Sequence, residues 1–325
     1  MANVLITSEF FGKFSDAGIE ILKNAGYTIV DPYGHKFLTP DEIIRYSEDA
    51  DAFICDLEQI NKDVIDHSKH LKIISRRGVG VDSVDVAYAE RKGITVARTL
   101  GVVEHPVAEL VLGYILEFSR NISKLSADMH KGHWEKKECH SVDGKVLGLV
   151  GMGKIAYEVA RRAKTFGMQI IYHDVLINEK AEREFGARNV EFEKLLNKSD
   201  FISIHTPLTP ETQGLFQKRT LSQMQETAYL INTARGAIVD QRALYNAIVK
   251  RKIAGAAIDV FETEPNEDSI LKGLPNVLLT PHVGTFTQEI FIKMDIMAAQ
   301  NVVEELEYRK TRDARDVSEA RYAVL

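Results

Sequence analysis

The segment Lys145–Ala156 restricts the possible folds of this chain more than any other stretch. Its apolar run Val146–Val150 has no polar alternation, which predicts a β-strand buried on both faces. Two glycines, Gly151 and Gly153, follow directly, and apolar residues then recur at helical spacing as Ile155, Val159, Ala163 and Phe166. The sequence therefore predicts a strand, a glycine turn and a helix in direct succession.

This β-α unit has the features of a dinucleotide site. Gly151 allows a sharp turn, Gly153 allows the backbone to approach a pyrophosphate, and the helix N-terminus offers free N–H groups. A second predicted strand, residues 168–174, ends in Asp174, where a carboxylate accepts hydrogen bonds from both ribose hydroxyls of NAD. No Lys or Arg occurs in residues 175–178, so NAD is expected rather than NADP. The alternative is a glycine turn that merely closes a β-α unit.

Composition limits the classes of function. A chain of 325 residues is long enough for about two domains, and its 27% charged content is ordinary for a globular enzyme. A net charge of -6 argues against a nucleic-acid binder with a broad basic surface. The two cysteines, Cys55 and Cys139, form no paired motif, and we find neither a signal peptide nor an apolar run of membrane-spanning length. We therefore expect a cytoplasmic protein.

The first hundred residues alternate predicted strands and helices, a pattern typical of a parallel sheet covered on both faces. Ligands bind beyond the carboxyl ends of such strands. The loop Ser75–Asp82 follows the fourth predicted strand and contains Arg76, Arg77 and two glycines, so it is a candidate site for a small carboxylate, with Val79 and Gly80 included. The alternative is a solvated turn that happens to contain arginines.

Further predicted strands follow the glycine loop, at residues 201–205, 228–232, 254–259 and 277–280. Each of them ends in a short polar motif. These motifs are His205-Thr-Pro207, Asn232-Thr-Ala-Arg-Gly236, Asp259-Val-Phe-Glu-Thr-Glu-Pro265 and Thr280-Pro-His-Val-Gly284. Because parallel strands end at one edge of a sheet, motifs that are distant in sequence are expected to meet there.

The stretch between the two halves has two parts. After a crossing segment at residues 99–106, an apolar stripe predicts one long helix, with Val107, Val111, Tyr114 and Phe118 at spacings of four, three and four. Residues 122–144 are polar and contain Trp134, and we interpret them as a loop that packs on a neighbouring surface or another subunit. The nearby histidines and Cys139 fit no standard metal-binding pattern, so no metal is expected.

Together, Gly-Met-Gly-Lys-Ile-Ala, the Arg-Arg-Gly-Val-Gly-Val-Asp loop and the last three strand-end motifs resemble the NAD-dependent D-isomer-specific 2-hydroxyacid dehydrogenases, including phosphoglycerate dehydrogenases. The resemblance covers nearly the whole chain. It implies an α/β protein of two doubly wound parallel-sheet domains, with a Rossmann-like NAD-binding domain at residues 101–286. That domain would be inserted into a flavodoxin-like substrate domain at residues 1–100 plus 287–325, and a homodimer is usual in the family.

The resemblance also implies roles for individual residues. It places Arg235, Glu264 and His282 in catalysis, with Asp174 on the ribose and Asp259 on the nicotinamide amide. The full set expected to bind the cofactor is Gly151, Gly153, Lys154, Ile155, Asp174, Thr206, Pro207, Thr233, Ala234, Asp259 and Gly284. The set expected to bind the substrate is Arg76, Arg77, Val79, Gly80 and Arg235, and no metal is expected.

These side chains suit hydride transfer between a small D-2-hydroxy acid and NAD. Histidine works as an acid or base near neutral pH, so His282 would move the hydroxyl proton while Glu264 orients its ring. The planar guanidinium of Arg235 would bind the substrate carboxylate and carbonyl. Two alternatives stay open: D-3-phosphoglycerate as the specific substrate, and an NAD(H)-sensing protein similar to corepressors. The segment Val103–Pro106 departs from the usual family pattern, which puts contacts from that segment in doubt.

Overall fold

The computed structural model describes residues 1–32, 34, 36–266 and 268–322, with side chains as far as residue 312. Contacts divide the chain into two compact units. The first contains residues 1–103 together with the segment from Thr287 onward, so it is built from both ends of the sequence. The second is the continuous stretch Glu104–Phe286.

In the described part of the first unit, five parallel strands form one sheet in the order β2-β1-β3-β4-β5. This is the strand order of flavodoxin-like folds, as the sequence predicted. The strands are β1 Asn3–Ile6, β2 Thr28–Val30, β3 Ala52–Cys55, β4 Ile73–Arg76 and β5 Thr95–Arg98. The helices are α1 Ala17–Asn24, α2 Pro40–Ser47, α3 Lys62–His67, α4 Val86–Arg91 and, from the far end of the chain, α12 Gln288–Tyr322.

Helix α12 closes one face of this sheet. In the sequence, five apolar residues outline this helix: Ile292, Ile296, Ala299, Val303 and Leu306. The structure confirms the helix and buries Ala299 and Leu306, and the other buried positions as far as residue 312 are Ile290, Phe291, Met294, Asp295, Ala298 and Val302. A carboxylate, that of Asp295, thus lies on the buried face among apolar side chains.

The second unit contains a parallel sheet in the order β12-β11-β10-β9-β6-β7-β8. Its first six strands in chain order follow the Rossmann arrangement, which confirms the predicted fold class. The strands are β6 Val146–Val150, β7 Gln169–His173, β8 Arg188–Asn189, β9 Phe201–Ile204, β10 Tyr229–Asn232, β11 Gly255–Ile258 and β12 Val277–Leu279. The helices are α5 Glu104–Arg120, α6 Ile122–His130, α7 Lys154–Thr165, α8 Glu179–Phe185, α9 Phe192–Lys198, α10 Lys218–Leu221 and α11 Gln241–Val249.

The interpretation of residues 122–144 as one irregular loop was wrong for its first third. Residues Ile122–His130 form helix α6, none of whose side chains is buried. Ile122, Leu125 and Met129 recur at helical spacing, but this short stripe lies among polar residues and is easily overlooked in the sequence. None of the helices in the described ranges combines the length and apolar character needed to cross a membrane.

Candidate active site

The glycine loop after β6 has the geometry that the sequence predicted. Gly151 has φ +91°, and a Cβ there would lie 2.9 Å from the carbonyl oxygen of His205. Only glycine therefore allows β6 and β9 to end this close together at the point where the strand order reverses. Gly153 forms the N-cap of α7, and a Cβ there would have no atom within 4 Å. The backbone at the start of α7 is thus open to a pyrophosphate.

Asp174 lies directly beside this loop. Its Oδ2 accepts a hydrogen bond of 2.7 Å from the Met152 N–H, and its Oδ1 accepts one of 3.0 Å from the Leu176 N–H. The side-chain amide of Asn178 donates to the Met152 carbonyl at 2.9 Å, which fixes the other side of the turn. The carboxylate is therefore held beside the glycine loop, and its contact with a ribose diol stays a prediction.

The residues His205, Thr206 and Pro207 follow β9, and the last two of them are predicted to contact the adenine of the cofactor. Burial lowers the pKa of His205 to about 3, so its imidazole is neutral at physiological pH. Its Nε2 lies 2.9 Å from the Ser203 Oγ. These contacts give His205 a structural role, while Thr206 is half-buried and Pro207 is exposed. The contact of Thr206 and Pro207 with adenine stays a prediction.

The motif Asn232–Gly236, which follows β10, is held in its conformation by hydrogen bonds of the Asn232 side chain. The side chain of Asn232 is fully buried, donates to the Arg235 carbonyl at 2.9 Å and accepts from the Ala234 N–H at 3.0 Å. A Cβ on Gly236 would lie 1.9 Å from the carbonyl carbon of Phe261, so this turn packs directly on the segment that follows β11. The Oγ1 of Thr233 is buried and has no partner among the described residues. An unpaired hydroxyl of this kind suits the predicted cofactor contact.

Glu264 and His282 form a hydrogen-bonded pair. The Nδ1 of His282 lies 2.7 Å from the Glu264 Oε2, while the other carboxylate oxygen accepts from the Phe261 N–H at 2.8 Å. Burial raises the pKa of Glu264, but the hydrogen bond and charge of His282, the Phe261 N–H and the charge of Arg235 together lower it below its usual value. Glu264 is therefore ionised near neutral pH, and Nε2 is the ring nitrogen of His282 that this pairing leaves unused.

Both side chains remain accessible, since 31% of His282 and 26% of Glu264 is exposed. The guanidinium of Arg235 is close enough for its charge to act on Glu264, and its Nη1 donates to the Ala234 carbonyl at 2.6 Å. Three residues from the ends of β10, β11 and β12 thus meet at one edge of the sheet. Convergence of an acid–base pair and a cation at a parallel-sheet edge is the arrangement that the strand-end motifs predicted.

Asp259 organises the loop that carries His282. This carboxylate is 1% exposed and accepts from the Val283 N–H at 2.8 Å and from the Gly284 N–H at 2.9 Å. The Asp259 carbonyl also accepts from the His282 N–H at 2.8 Å. The role of Asp259 towards the nicotinamide amide stays a prediction, because the carboxylate seen in the structure serves its own loop.

The candidate carboxylate loop lies in the first unit. The side chain of Arg77 is 0% exposed; its Nε donates to Asp295 and its Nη1 to Asp56, both at 2.6 Å. The guanidinium of Arg76 folds back onto its own loop and donates to the Arg77 carbonyl. The side chain of Arg77 is thus buried, which excludes the alternative of a solvated turn for this residue. Its contact with substrate stays a prediction.

Backbone groups of the same loop are better placed for a ligand. Gly78 has φ +132°, and its N–H donates to the Thr99 Oγ1 at 2.6 Å. Within the described part of the chain, the next two N–H groups, those of Val79 and Gly80, donate to no protein acceptor. Two successive backbone N–H groups are a suitable site for a small anion.

Two residues that the sequence left unassigned also have defined positions. His105, from the departing segment, lies with its Nδ1 3.0 Å from the Arg162 Nη2 and 3.2 Å from the Glu158 Oε2, so it joins a charged group where α5 packs on α7. Tyr114 was predicted only as part of an apolar stripe, yet its hydroxyl lies 2.5 Å from the Thr280 Oγ1. The apolar periodicity of α5 gave no signal for this contact.

Across the described residues, no group of three or more His, Cys, Asp or Glu side chains is arranged to hold a metal ion.

Comparison with known proteins gives matches of two kinds, in sequence and in structure. Residues 112–284 match the family model described as "D-isomer specific 2-hydroxyacid dehydrogenase, NAD binding domain". The hydroxypyruvate reductase of Thermotoga maritima is 38% identical over 275 residues, which is 83% of this chain and 89% of that protein. The D-3-phosphoglycerate dehydrogenase of Methanocaldococcus jannaschii is 37% identical over 89% of this chain, but the chain spans only 54% of its length.

A solved structure agrees with these matches. The D-lactate dehydrogenase of Aquifex aeolicus, complexed with NAD and lactic acid, superimposes with a TM-score of 0.82 at 26% identity, covering 98% of each chain. The cofactor of the matched family is NAD, and the glycine loop, Asp174 and the unpaired Thr233 hydroxyl described above fit that group. The chain therefore belongs to the D-isomer-specific 2-hydroxyacid dehydrogenases, a family of NAD-dependent oxidoreductases.

Proposed function

We propose that this protein interconverts a small, unphosphorylated D-2-hydroxy acid and its 2-keto acid, with His282 as the acid–base residue. One observation carries the proposal: the half-exposed His282–Glu264 pair lies next to Arg235 at the same sheet edge as an open dinucleotide loop. The glycine loop after β6 and Asp174 would hold NAD, which would supply the hydride chemistry at C2 of the substrate. The residues of the chain bind the substrate and move its proton.

His282 takes the hydroxyl proton on Nε2 during oxidation and returns it during reduction. Glu264 holds the proton on Nδ1 in place, which fixes the tautomer, and its negative charge stabilises the imidazolium that forms. A neutral side chain at position 264 would fix the tautomer of His282 only in part, and it would not stabilise the imidazolium.

Arg235 binds the substrate carboxylate and the reacting oxygen. Its fork of donors matches two oxygens at once, and it stabilises the negative charge that grows on the oxygen as hydride is transferred. In the first unit, the N–H groups of Val79 and Gly80, which donate to no acceptor among the described residues, are proposed to bind a small anion.

The two arginines of the candidate carboxylate loop favour an unphosphorylated substrate. Arg77 is neutralised by Asp56 and Asp295, and Arg76 is 8% exposed and folded onto its own loop. A phosphate would have to displace these contacts to reach either guanidinium, and it would leave buried carboxylates without their cation. Glyoxylate, hydroxypyruvate or a short aliphatic keto acid requires no such rearrangement.

The test is NADH oxidation by the purified protein with glyoxylate, hydroxypyruvate, pyruvate and 3-phosphohydroxypyruvate. We expect turnover of at least one unphosphorylated acid, and a kcat/KM for the phosphorylated acid at least tenfold lower. The variant Arg76→Ala should leave this ranking unchanged. Preference for the phosphorylated acid, lost in Arg76→Ala, would reject the substrate class, and no turnover of any acid would reject the enzymatic proposal.

A homodimer and a cytoplasmic location belong to the proposal as well. Helix α6 buries none of its side chains, Met129 is 50% exposed and Trp134 is 82% exposed, so this part of the second unit offers apolar surface for a second copy of the chain. Dependence on NAD and two free cysteines suit the reducing cytoplasm. Light scattering on the wild type and on Trp134→Ala, together with cell fractionation, tests both points.

A further inference from the structure

A chain of hydroxyl groups connects helix α5 to the loop that carries His282. The hydroxyl of Tyr114 lies 2.5 Å from the Thr280 Oγ1, and the Thr280 hydroxyl donates to the Asp259 Oδ1, also at 2.5 Å. Tyr114 is 5% exposed and Asp259 is 1% exposed, so water competes little for these bonds. Hydrogen bonds in such an environment hold their groups more tightly than exposed ones do.

The direction of the chain follows from proton counting. Thr280 has one hydroxyl proton, and it points to the Asp259 carboxylate, which can only accept. Tyr114 must therefore be the donor in its contact with Thr280. Burial raises the pKa of Tyr114, and the charge of Asp259 raises it further, so the donor proton is retained throughout the physiological range.

Asp259 passes this constraint to the backbone around His282. Its Oδ1 accepts from the Thr280 hydroxyl and the Val283 N–H, its Oδ2 accepts from the Gly284 N–H, and its carbonyl accepts from the His282 N–H. His282 itself has φ +53°, a conformation that is unfavourable for a residue with a side chain. Such a conformation persists only where surrounding contacts enforce it.

We infer that Tyr114 and Thr280 are positioning residues for His282, acting in series through the Asp259 carboxylate. They keep the loop 280–284 in the one conformation that aims the imidazole at Glu264 and at the substrate. The inference rests on the proposed acid–base role of His282. It concerns the rate of the chemical step: neither hydroxyl is hydrogen-bonded to the glycine loop, and changing Tyr114 or Thr280 leaves the carboxylate of Asp259, a predicted cofactor contact, in place.

The test is a set of three single variants and one double variant. Thr280→Val removes a donor to the Asp259 carboxylate, and we expect kcat to fall about 10- to 30-fold. Tyr114→Phe leaves the Thr280–Asp259 bond in place, and we expect a fall of about 3- to 5-fold. Thr280→Ser keeps the hydroxyl and should restore kcat to within about twofold of the wild type. The Kd for NADH, followed by fluorescence, should change less than about threefold in all of them.

Action in series predicts a specific double-variant result. Because Tyr114 acts only through the Thr280 hydroxyl, Tyr114→Phe should add little to the loss already caused by Thr280→Val. Tyr229→Phe is the control, since it removes the hydroxyl of a half-buried tyrosine of the same unit that has no hydrogen bond to the loop 280–284 among the described residues. Its kcat should equal that of the wild type.

The outcomes separate this inference from the proposed function. If His282→Ala abolishes turnover while Tyr114→Phe and Thr280→Val keep normal kcat, the positioning inference is wrong and the proposed function stands. If the two losses are additive, or if Thr280→Ser is as slow as Thr280→Val, serial action through the hydroxyl is also rejected. If His282→Ala turns over normally, the proposed function itself fails.

Discussion

Two clusters of charged residues lie at the carboxyl ends of parallel strands, and they differ in nearly every other respect. The Arg77 cluster, Arg77 with Asp56 and Asp295, is closed: the side chains of Arg77 and Asp295 are 0% exposed and each charge has a partner. The His282 cluster, His282 with Glu264 and Arg235, leaves about a third of the His282 side chain accessible. The first cluster holds structure together, and the second is able to bind a ligand.

The difference shows what a strand-end position does and does not indicate. The sequence indicated a functional role for Arg77 and for all three residues of the His282 cluster, because each of them follows a predicted strand. Burial and pairing decide which of them is available. A charge that is fully desolvated and neutralised is costly to separate from its partner, whereas a half-exposed pair can exchange water for substrate.

Removing the base from the His282 cluster should have the largest effect. We expect His282→Ala to lower kcat by about 10³-fold or more, in the range typical of a lost general acid–base group. NADH binding should stay within about threefold of the wild type, because the glycine loop and Asp174 are unchanged. His67→Ala, an exposed histidine in the first unit, is the control. Weak NADH binding with normal turnover would mean that His282 serves the cofactor.

Removing the cation from the Arg77 cluster should act on stability instead. Arg77→Met leaves Asp295 buried and unpaired, which typically costs about 3–5 kcal/mol. For a unit of this size we expect Tm to fall by roughly 10 °C. The double variant Arg77→Met/Asp295→Leu should recover most of the loss, and Arg235→Met should change Tm little while activity disappears. A stable Arg77→Met protein with a raised KM would instead make Arg77 a substrate ligand.

Asp174 is intermediate between the two clusters, since it is half-buried and bonded only to backbone N–H groups. Asp174→Ala removes the acceptor for the ribose hydroxyls and the repulsion towards a 2′-phosphate. The ratio of kcat/KM for NADPH over NADH should therefore rise about tenfold. Asp200→Ala, which removes a carboxylate at the opposite end of β6, should leave that ratio unchanged. Equal ratios in all three proteins would place cofactor selectivity elsewhere.

The smallest effect is expected on the pH dependence of stability, from a substitution of Glu58. Its side chain is fully buried beside the Arg77 cluster, and burial and the charge of Asp56 raise its pKa. The folded protein thus keeps a proton that the unfolded chain loses above a pH of about 4.3, so this group lowers stability as pH rises from there towards the folded pKa. Glu58→Gln should gain a few degrees of Tm over the wild type at pH 8 and almost none at pH 4. A constant difference across that range would contradict the raised pKa.

Sequence was sufficient for those parts of the fold that repeat a simple pattern. The apolar runs at residues 52–55 and 146–150 became buried strands, and Asp174 lies hydrogen-bonded beside the glycine turn. Sequence failed where a contact overrides the pattern. Asp295 occupies a core position because Arg77 pairs with it. Neither the sequence around Arg77 nor that around Asp295 predicts this ion pair by itself.

The candidate site divides in the same way. The meeting of the strand ends of β10, β11 and β12 follows from topology, so it was predictable from the order of the motifs. The hydroxyl chain from Tyr114 was not, since a tyrosine in an apolar stripe looks the same whether its hydroxyl is bonded or not. Helix α6 was missed because its short apolar stripe, Ile122, Leu125 and Met129, lies in a mostly polar stretch.

The bond between Arg77 and Asp295 spans 218 positions of the chain, with the whole second unit encoded between them. During synthesis the inserted unit emerges complete while the N-terminal sheet still lacks its closing helix. Of the two ionic partners that Arg77 has among the described residues, Asp56 alone is present until residue 295 has left the ribosome. We therefore expect the first unit to complete its folding last. Nascent chains released before residue 295 is synthesised are expected to be the ones that chaperones retain.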